Sequence, residues 1–246
     1  MQILGIIPAR YASTRFPGKP LIDIAGKSMI QRVYEQCLKS NLLSTVYVAT
    51  DDIRIAEHIT QFGGNVVMTS EQHTCGTERC FETLTQLGEK EYDVVINIQG
   101  DEPFINPEQI DMLCSCFDSE RVEIATLAKK LNNSSDLFNP TIPKVVLNNV
   151  HNAIYFSRQA IPYLRGIEEN EWINNHIYFK HIGIYGYRSD ILKEIVSLPA
   201  GKLEKAESLE QLRWLENGYK IKVAITNFES ISIDTPADLE RALKMI

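Results

Sequence analysis

A short segment near the start of the chain gathers side chains that could hold a highly charged anion. The segment, IPARYASTRFPGKP, follows the apolar run QILGI and covers residues 7–20. Its cations and hydroxyls are Arg10, Arg15, Lys19, Ser13 and Thr14. Arginine binds phosphate oxygens in pairs, and the backbone N–H groups of a turn-rich loop can bind oxyanions. The segment therefore predicts a triphosphate site, with a solvent-exposed cationic loop as the alternative.

Two aspartates follow predicted strands and could bind a metal ion. Asp101 comes after the apolar segment 93–98, and Asp234 comes after a strand that ends at Ile233. Mg²⁺ typically binds few carboxylates and completes its shell with water and phosphate oxygens. Each aspartate alone could equally be a turn or helix-capping residue. Together, beside a phosphate loop, they predict metal-dependent phosphate chemistry with Mg²⁺ as the cofactor.

The sequence argues against several other kinds of site. Gly26-Lys27-Ser28 looks like the end of a P-loop, but that motif needs a glycine where this chain has Leu21. No G-x-G-x-x-G follows the first strand, which argues against a dinucleotide-dependent oxidoreductase. The five cysteines are irregularly spaced, so we interpret them as buried or incidental thiols. No Ser-His-Asp or Cys-His arrangement indicates a nucleophilic enzyme.

The composition is that of an ordinary globular protein. Of the 246 residues 44% are hydrophobic, which is enough for a sizeable core. The net charge of −7 argues against general nucleic-acid binding, which needs cations to neutralise phosphates. The N-terminus lacks the features of a signal peptide, and no apolar run approaches the roughly 18 residues of a membrane span. We therefore expect a cytoplasmic protein without nucleic-acid or membrane partners.

The predicted elements of the first half would bring these polar residues together. Strands are predicted at residues 3–8, 46–49, 65–68 and 93–98, and helix-like segments alternate with them. This rhythm predicts the α/β class, with a mostly parallel central sheet and helices on both faces. Ligands bind at the carboxyl ends of such strands. Because the opening loop, Thr50-Asp51 and Gln99-Gly100-Asp101 all follow strands, we expect one site at that edge.

The second half of the chain is less regular. Strands are predicted at 144–147 and 181–187, and a helix at 209–215. Near the end, Thr235 has the position of a helix N-cap, and Pro236 suits the first helical position. No linker-like stretch divides the chain, so we predict a single domain over 1–246. We expect the segment of approximately residues 130–187 to form an excursion from the main sheet of this domain.

Nine motifs, in chain order, resemble the family of 3-deoxy-manno-octulosonate cytidylyltransferases, sugar nucleotidyltransferases also called CMP-Kdo synthetases. The motifs run over nearly the whole chain: IPARYASTRFPGKPL, VATDD, HTCGTERC, INIQGDEPFI, KVV, YFSR, KHIGIYGYR, LEQLRWLENGYKI and IDTPADLER. The opening motif alone indicates only sugar nucleotidyltransferases in general. QGDEP, GTER and HIGIYGYR together favour this family over its sialic acid relatives.

The resemblance implies a fold, a reaction and an assembly. The fold would be a Rossmann-like α/β nucleotidyltransferase, in which the excursion serves sugar binding and dimerisation. The reaction would be the transfer of CMP from CTP to 3-deoxy-D-manno-octulosonate (Kdo), giving CMP-Kdo and pyrophosphate, with Mg²⁺. The activated sugar would serve lipopolysaccharide biosynthesis. The protein would be a cytoplasmic homodimer whose partners are these small-molecule substrates.

The resemblance also implies a role for particular residues. By matching position, CTP would contact Ala9, Arg10, Ser13, Thr14, Arg15, Lys19, Thr50, Asp51, Cys75, Gly76 and Thr77. The sugar would contact Arg79, Gln99, Arg158, His181, Tyr185, Glu210 and Gln211. The metal would be bound by Asp101 and Asp234. These two aspartates and Lys19 are the predicted catalytic residues.

One departure from the family pattern concerns the nucleotide site, and two other functions remain open. Cys75 stands where the family usually has serine, and a thiol is a weaker hydrogen-bond partner than a hydroxyl. A side-chain contact there is in question, whereas a backbone contact would persist. The alternatives are a cytidylyltransferase for a related sugar acid, such as 8-amino-Kdo or sialic acid, and a nucleotide-binding regulator that has lost catalysis.

Overall fold

The computed structural model describes residues 1–12, 16–229 and 231–244. The chain divides into two compact units. The first unit comprises Met1–Ser115, Gly186–Val196 and Ser230–Ile246, and the second unit comprises Cys116–Tyr185 and Ser197–Glu229. The predicted excursion, 130–187, falls largely within the second unit. The single-domain description of the chain stays a prediction.

Strands and helices alternate along most of the chain. The strands are β1 Ile3–Ala9, β2 Asp23–Ile24, β3 Lys27–Ser28, β4 Thr45–Thr50, β5 Val66–Met68, β6 Val94–Asn97, β7 Ile124–Lys130, β8 Lys144–Leu147, β9 Ala153–Ser157, β10 Phe179–Arg188 and β11 Ile221–Thr226. The helices are α1 Met29–Cys37, α2 Ile53–Gln61, α3 Gly76–Leu87, α4 Pro107–Ser115, α5 Ser134–Phe138, α6 Trp172–Asn175, α7 Ser189–Val196, α8 Lys202–Glu207, α9 Gln211–Glu216 and α10 Pro236–Leu243.

In the first unit, β1 lies between two parallel neighbours. It pairs with β4 on one side and with β6 on the other, and β4 continues to β5. The register places Ala9 opposite Thr50 and Ile6 opposite Asn97. Six of the seven residues of β1 are buried, as expected for a parallel strand covered on both faces. The polar residues that follow β1, β4 and β6 therefore leave the sheet at the same edge.

Side-chain caps mark the start of three helices of the first unit. The Ser28 side chain accepts a hydrogen bond from the Gln31 N–H at the start of α1, and Asp52 caps α2 in the same way. Thr235 caps α10 with Pro236 in its first turn, which confirms that helix start. The strand predicted to end at Ile233 is wrong, because β11 ends at Thr226 and residues 231–234 are irregular. The buried faces of α1 and α2 repeat at helical spacing, so both helices pack on the sheet through one apolar stripe.

A small apolar cluster holds α10 in the first unit. Ile24, Met29, Ile233 and Ala242 are buried together, and Phe16, Phe104 and Leu239 pack against them. Ile233 also donates a backbone hydrogen bond to the Asp101 carbonyl at 2.9 Å. This cluster brings the segment before α10 beside the loop after β6, although the two are far apart in sequence.

The second unit contains both parallel and antiparallel pairs. β11 runs parallel to β7 over six residues, whereas β8 is antiparallel to β9 and to the start of β10. A second apolar cluster contains Leu131, Leu137, Trp172 and Tyr178. The strands predicted at 144–147 and 181–187 are present, and the second of them is longer than predicted.

The predicted α/β class is confirmed: strand pairing is mostly parallel and helices flank the sheet. Within the described residues, every helix falls short of the length and apolar character that crossing a membrane requires.

We predict that Gly100→Ala destabilises the protein, because a Cβ at Gly100 would lie 2.7 Å from the Pro8 carbonyl oxygen. The neighbour is backbone, so β1 or the loop after β6 would have to move. We expect a loss of about 1–3 kcal/mol in the free energy of unfolding. The matched control is Gly183→Ala, because a Cβ at Gly183 meets nothing within 4 Å. Urea denaturation of both variants measures the difference, and equal midpoints would contradict the predicted clash.

Candidate active site

Arg10 leaves the end of β1 and is held by a neighbouring loop. Its guanidinium donates to the backbone carbonyl of His73 at 2.6 Å and to that of Glu71 at 3.4 Å. Its Nε lies 3.6 Å from the Asp51 carboxylate, which follows β4. The side chain is 45% exposed, so the guanidinium still faces solvent. Arg10 is thus placed by partners from two different strand ends.

Asp51 connects Arg10 to a buried arginine. Arg79, on α3, has a side chain that is only 1% exposed, and it donates to the Asp51 carboxylate at 2.7 Å. The same guanidinium also donates to the Thr69 hydroxyl, which follows β5. Arg79 therefore fixes Asp51 from within the first unit. The sugar contact implied for Arg79 stays a prediction, and in this structure its guanidinium binds Asp51 and Thr69.

The loop that holds Arg10 is tied to α3 by carboxylates that our sequence analysis did not identify. Glu82 accepts hydrogen bonds from the Ser70 N–H and from His73, while Glu78 accepts from the Thr74 N–H at 2.6 Å. Burial opposes ionisation of both groups, yet the backbone donors lower the pKa of Glu78 and of Glu82. Both glutamates lie on one helix face at i and i+4. That spacing is the signal which could have identified them.

The first turn of α3 packs against the ends of the central strands. Cys75 is the N-cap residue, and its thiol makes no capping hydrogen bond to the helix. A Cβ at Gly76 would lie 3.4 Å from the Asn97 amide nitrogen and 3.5 Å from the Pro8 ring. Thr77 and Thr50 are both buried. The first turn of α3, which carries Gly76 and Thr77, therefore lies at the carboxyl edge of β1 and β6.

Lys19 lies between the two predicted metal ligands. It begins a short 3₁₀ helix after Gly18, whose φ of 70° is easily adopted only by glycine. The Lys19 Nζ donates to the Asp101 carboxylate at 2.7 Å and to the Asp234 carboxylate at 3.1 Å. Burial acts to lower the pKa of Lys19, but the two carboxylates outweigh it and raise that pKa. Lys19 is therefore a charged ammonium at neutral pH.

The donor set around Lys19 fits a magnesium ion. Asp101 and Asp234 supply two carboxylates that converge on one point, with 26% and 32% of their side chains exposed. Mg²⁺ typically takes one or two protein carboxylates and fills its other positions with water and phosphate oxygens. Among the described residues, no group of three or more His, Cys, Asp or Glu side chains could hold a metal ion. An all-protein metal cage is thus absent from that part of the chain.

A cavity of about 390 Å³ opens beside Arg10. It is lined by Arg10, Tyr11, Ala12, Asp51, Asp52, Arg54 and Glu71. Arg54 stacks on the Tyr11 ring at 3.3 Å and pairs with Asp52. We did not predict a role for Arg54, because its sequence context indicates only an amphipathic helix. The cavity places a second exposed guanidinium next to Arg10.

In the second unit, Arg158 is surrounded by backbone carbonyls. Its guanidinium donates to the carbonyl of Glu207 at 2.6 Å and to those of Pro140 and Ser208 at 3.1 and 3.3 Å. The backbone N–H of Arg158 donates to the Glu207 carboxylate at 2.9 Å. These contacts tie the residue that follows β9 to the end of α8.

Lys144 is a buried cation that supports Arg158, and our sequence analysis did not identify it. The residue is fully buried, and its Nζ donates to the carbonyls of Asn139, Ile142 and Arg158 at 2.9, 2.7 and 2.6 Å. Burial and the charge of Arg158 lower the pKa of Lys144 to about 8, with Glu207 opposing. The segment KVV indicates a strand and carries no local sign of a buried lysine.

His181 lies among aromatic rings in the second unit. Its ring packs edge-on to Phe156 at 5.1 Å and lies 5.3 Å from the Tyr185 ring, and its Nε2 is hydrogen-bonded to the Thr126 hydroxyl at 2.9 Å. Burial lowers the pKa of His181 to about 3, so the ring is neutral at physiological pH. Burial, and then the nearby charge of Glu210, raise the pKa of Tyr185.

Gln211 is a buried donor on α9, the helix whose Trp214 packs edge-on against the Tyr185 ring at 5.1 Å. The residue begins α9 and is 4% exposed, and its amide nitrogen has no hydrogen-bond partner among the described residues. A buried donor without a partner is costly, so such a group typically awaits a ligand or water. Glu210 precedes it at the start of the same helix. Gln99 belongs to the first unit, where its carbonyl accepts from the Glu102 N–H.

Comparisons with known proteins identify the family. Residues 4–221 match the family model described as cytidylyltransferase. A protein of Parabacteroides distasonis named 3-deoxy-manno-octulosonate cytidylyltransferase is 59% identical, over 100% of this chain and 98% of its own length. A protein of the same name from Bacteroides thetaiotaomicron is 56% identical, over 98% and 97%. The chain belongs to the 3-deoxy-manno-octulosonate cytidylyltransferase family.

A solved structure of this family agrees over the full length. CMP:2-keto-3-deoxy-manno-octonic acid synthetase, solved in complex with CTP, matches with a TM-score of 0.92 and 40% identity, covering 100% of this chain and 98% of its own. A relative from Shewanella sediminis, 46% identical over 97% of this chain and 96% of its own length, is named for the 8-amino-3,8-dideoxy sugar instead. The family therefore contains proteins named for two closely related sugars.

The structure groups the residues that the family resemblance pointed to, and their roles stay predictions. In the first unit it brings together Arg10, Asp51 and Arg79, and also Lys19, Asp101 and Asp234. In the second unit it brings His181 beside Tyr185, with Glu210 near enough to influence Tyr185. Three residues predicted to bind CTP lie outside the described residues: Ser13, Thr14 and Arg15.

We predict that Arg79→Met is far more destabilising than Arg54→Met. The first change leaves the Asp51 carboxylate without its buried partner, and breaking such a pair costs about 3–5 kcal/mol. Arg54 pairs with Asp52 through a side chain that is 55% exposed, and solvent screening leaves such an exposed pair with little effect on stability. Chemical denaturation of both variants tests the difference. Similar unfolding free energies would contradict the structural role of Arg79.

We also predict that His181 makes stability depend on pH. Its pKa is about 3 in the folded protein, against 6.5 in its ordinary state, so the unfolded chain binds the extra proton first. The contribution of neutral His181 to the free energy of unfolding is therefore complete above pH 6.5, and it is lost as the pH falls toward 3. His181→Gln keeps a polar partner for Thr126 but cannot titrate. The difference in unfolding free energy between wild type and variant should change over this window, and a constant difference would contradict the assignment.

Proposed function

We propose that this protein transfers CMP from CTP to Kdo, giving CMP-Kdo and pyrophosphate for lipopolysaccharide biosynthesis. We further propose that it works with Mg²⁺, as a homodimer in the cytoplasm. The observation that carries the activity is the full-length likeness to relatives named for this activity, at 59% and 56% identity. The site adds a chemical argument, because Arg10, Lys19 and two convergent carboxylates lie at one edge of the first unit's sheet.

The nucleotide half of the reaction would use the first unit. Arg10 and Lys19 would bind the triphosphate, and Arg79 would keep Asp51 in place beneath it. The start of α3 presents backbone N–H groups to the same edge, which favours an anion or a polar base edge. Mg²⁺ bound by Asp101 and Asp234 would neutralise charge on the α-phosphate and lower the pKa of the attacking sugar hydroxyl.

The chemical step would be an in-line displacement at phosphorus. The anomeric oxygen of Kdo forms a bond to the α-phosphorus of CTP, and the bond from that phosphorus to the bridging oxygen of pyrophosphate breaks. The hydroxyl proton leaves to solvent. Catalysis would rest mainly on positioning and on the stabilisation of charge. Lys19 and Arg10 would stabilise the negative charge that develops on the departing pyrophosphate.

The sugar half of the reaction would use the second unit. Neutral His181 and the buried amide of Gln211 are donors suited to a sugar that carries a carboxylate and several hydroxyls. The unpartnered amide nitrogen of Gln211 supports this assignment, since a sugar oxygen would satisfy it. Arg158 would add a positive charge near the sugar carboxylate, held in place by Lys144 and Glu207.

A second candidate for the sugar substrate is the 8-amino form of Kdo. The relative from Shewanella sediminis is named for the 8-amino-3,8-dideoxy sugar and is 46% identical, against 59% for the Parabacteroides protein named for Kdo. The higher identity favours Kdo. The 8-amino form differs at a single substituent, so few pocket residues would need to change.

The direct test measures pyrophosphate release from CTP, Mg²⁺ and Kdo. Parallel reactions replace Kdo by its 8-amino form or sialic acid, and CTP by UTP or ATP. We expect release with CTP and Kdo. Release with another pair would keep the mechanism and change the substrate. A folded protein that binds CTP but releases no pyrophosphate with any pair would support the regulator instead. Analytical ultracentrifugation of the same sample tests the homodimer.

We predict that Asp101→Asn lowers kcat by about 100-fold or more, because an amide cannot replace the charge of a metal-binding carboxylate. The fold should persist, since Asp101 is partly exposed and its backbone hydrogen bond to Ile233 is unaffected. Asp118→Asn is the matched control at an exposed position in the second unit. Near-native turnover of the Asp101 variant in the pyrophosphate assay would remove Asp101 from the metal site.

A further inference from the structure

Lys19 lies between the two carboxylates proposed to hold the metal. Its Nζ is 2.7 Å from an Asp101 oxygen and 3.1 Å from an Asp234 oxygen, and only 14% of its side chain is exposed. The two carboxylates and the ammonium together carry a charge of −1, whereas the carboxylates alone would carry −2. The ammonium therefore does part of what a divalent ion would do in this place.

A lysine in this position and a bridging divalent ion exclude each other. Mg²⁺ binds oxygen at about 2.1 Å, so an ion bridging these two carboxylates would need the space that the Nζ fills. An ammonium a few ångströms from a divalent cation is also strongly repelled at low dielectric. The metal can bridge Asp101 and Asp234 only after the Lys19 side chain has moved.

The lysine can move while its backbone stays in place. The 3₁₀ helix that it begins is held by hydrogen bonds from Leu21 to Gly18 and from Ile22 to Lys19, and Pro20 is buried. The flexible four-carbon stem leaves the ammonium free to choose another acceptor. The N–H of Gly18, the residue before Lys19, donates to the carbonyl of Tyr11, the residue after Arg10, at 3.0 Å. A triphosphate bound by Arg10 would therefore lie near Lys19 and offer its ammonium oxygens with more negative charge than one carboxylate.

We propose that Lys19 is the counter-cation of Asp101 and Asp234 in the nucleotide-free protein, and that a bound nucleoside triphosphate draws its ammonium away and so admits the divalent ion. This rests on the proposed function, which assigns the two aspartates to the metal. It makes the nucleotide and the metal bind cooperatively, because each stabilises the state in which Lys19 has left the carboxylates. The coupling is reciprocal, as linkage requires.

Removal of the ammonium tests the proposal without any turnover. In Lys19→Met the two carboxylates face each other without a cation, so a divalent ion meets no competitor. We expect the nucleotide-free variant to bind Mn²⁺ about tenfold more tightly than wild type, a typical size for coupling between two sites. The variant should also melt at a lower temperature than wild type without metal, and Mn²⁺ should restore its melting temperature.

The experiment titrates Mn²⁺ into nucleotide-free proteins, followed by electron paramagnetic resonance and by thermal melting. The matched control is Lys27→Met, because Lys27 lies eight residues after Lys19 in the sequence and pairs with a single carboxylate, Glu35, at 2.6 Å. It should bind Mn²⁺ as wild type does. Lys19→Gln is a second variant in case methionine disturbs folding. If neither Lys19 variant folds without metal, the dependence of the melting temperature on Mn²⁺ concentration gives the affinity for Mn²⁺.

The outcomes separate this proposal from the proposed function. A double variant, Lys19→Met with Asp101→Asn, should lose the gained affinity, which locates the ion. If wild type with CTP binds Mn²⁺ at a site that Asp101→Asn removes, but Lys19→Met without CTP binds no more tightly than wild type, the role of Lys19 is overturned while the metal site stands. If Asp101→Asn changes Mn²⁺ binding in no state, the metal assignment itself is wrong.

Discussion

The parallel pairing of β1 with β4 and β6 is the constraint on which the candidate site depends. Because three strands run the same way and are in register, the residues that follow them leave the sheet at one edge. Gly100 permits the close approach of the loop after β6 to the Pro8 carbonyl at the end of β1. The register of β1 with β4 and β6 thus decides which polar side chains lie close enough to contact one another.

Charge compensation is the second organising feature of the first unit. Asp51 lies between an exposed arginine and a buried one, and Lys19 lies between two carboxylates. Each charge already has a partner, so a ligand that binds here exchanges partners instead of meeting bare charges. Such a site keeps opposite charges close together in the absence of ligand, and the cost of burying each of them is lowered by its neighbour.

The second unit supports its polar residues by a different means. Lys144 and Arg158 direct their positive charges mainly at backbone carbonyls, which lie before β8, just after β9 and at the end of α8. Carbonyl acceptors satisfy the donors without adding negative charge, so the net positive charge around Arg158 is retained. An anionic substrate would benefit from that arrangement, whereas a conventional ion pair would cancel it.

The sequence by itself determined the α/β class, the strand ends at which polar side chains follow β1, β4 and β6, and the cap of α10, and it predicted a site containing Lys19, Asp101 and Asp234. These follow from local periodicity, from capping preferences and from motifs, which depend on neighbours in the chain. Only the tertiary structure decided which charges pair. Lys19 meets an aspartate 82 residues away and another 215 residues away, and Arg79 turns to Asp51 beneath the edge of the sheet. Such partners depend on how the strands register and how the helices pack. The i, i+4 spacing of Glu78 and Glu82 places them on one helix face without naming their partners, and no local pattern marks Lys144 as buried.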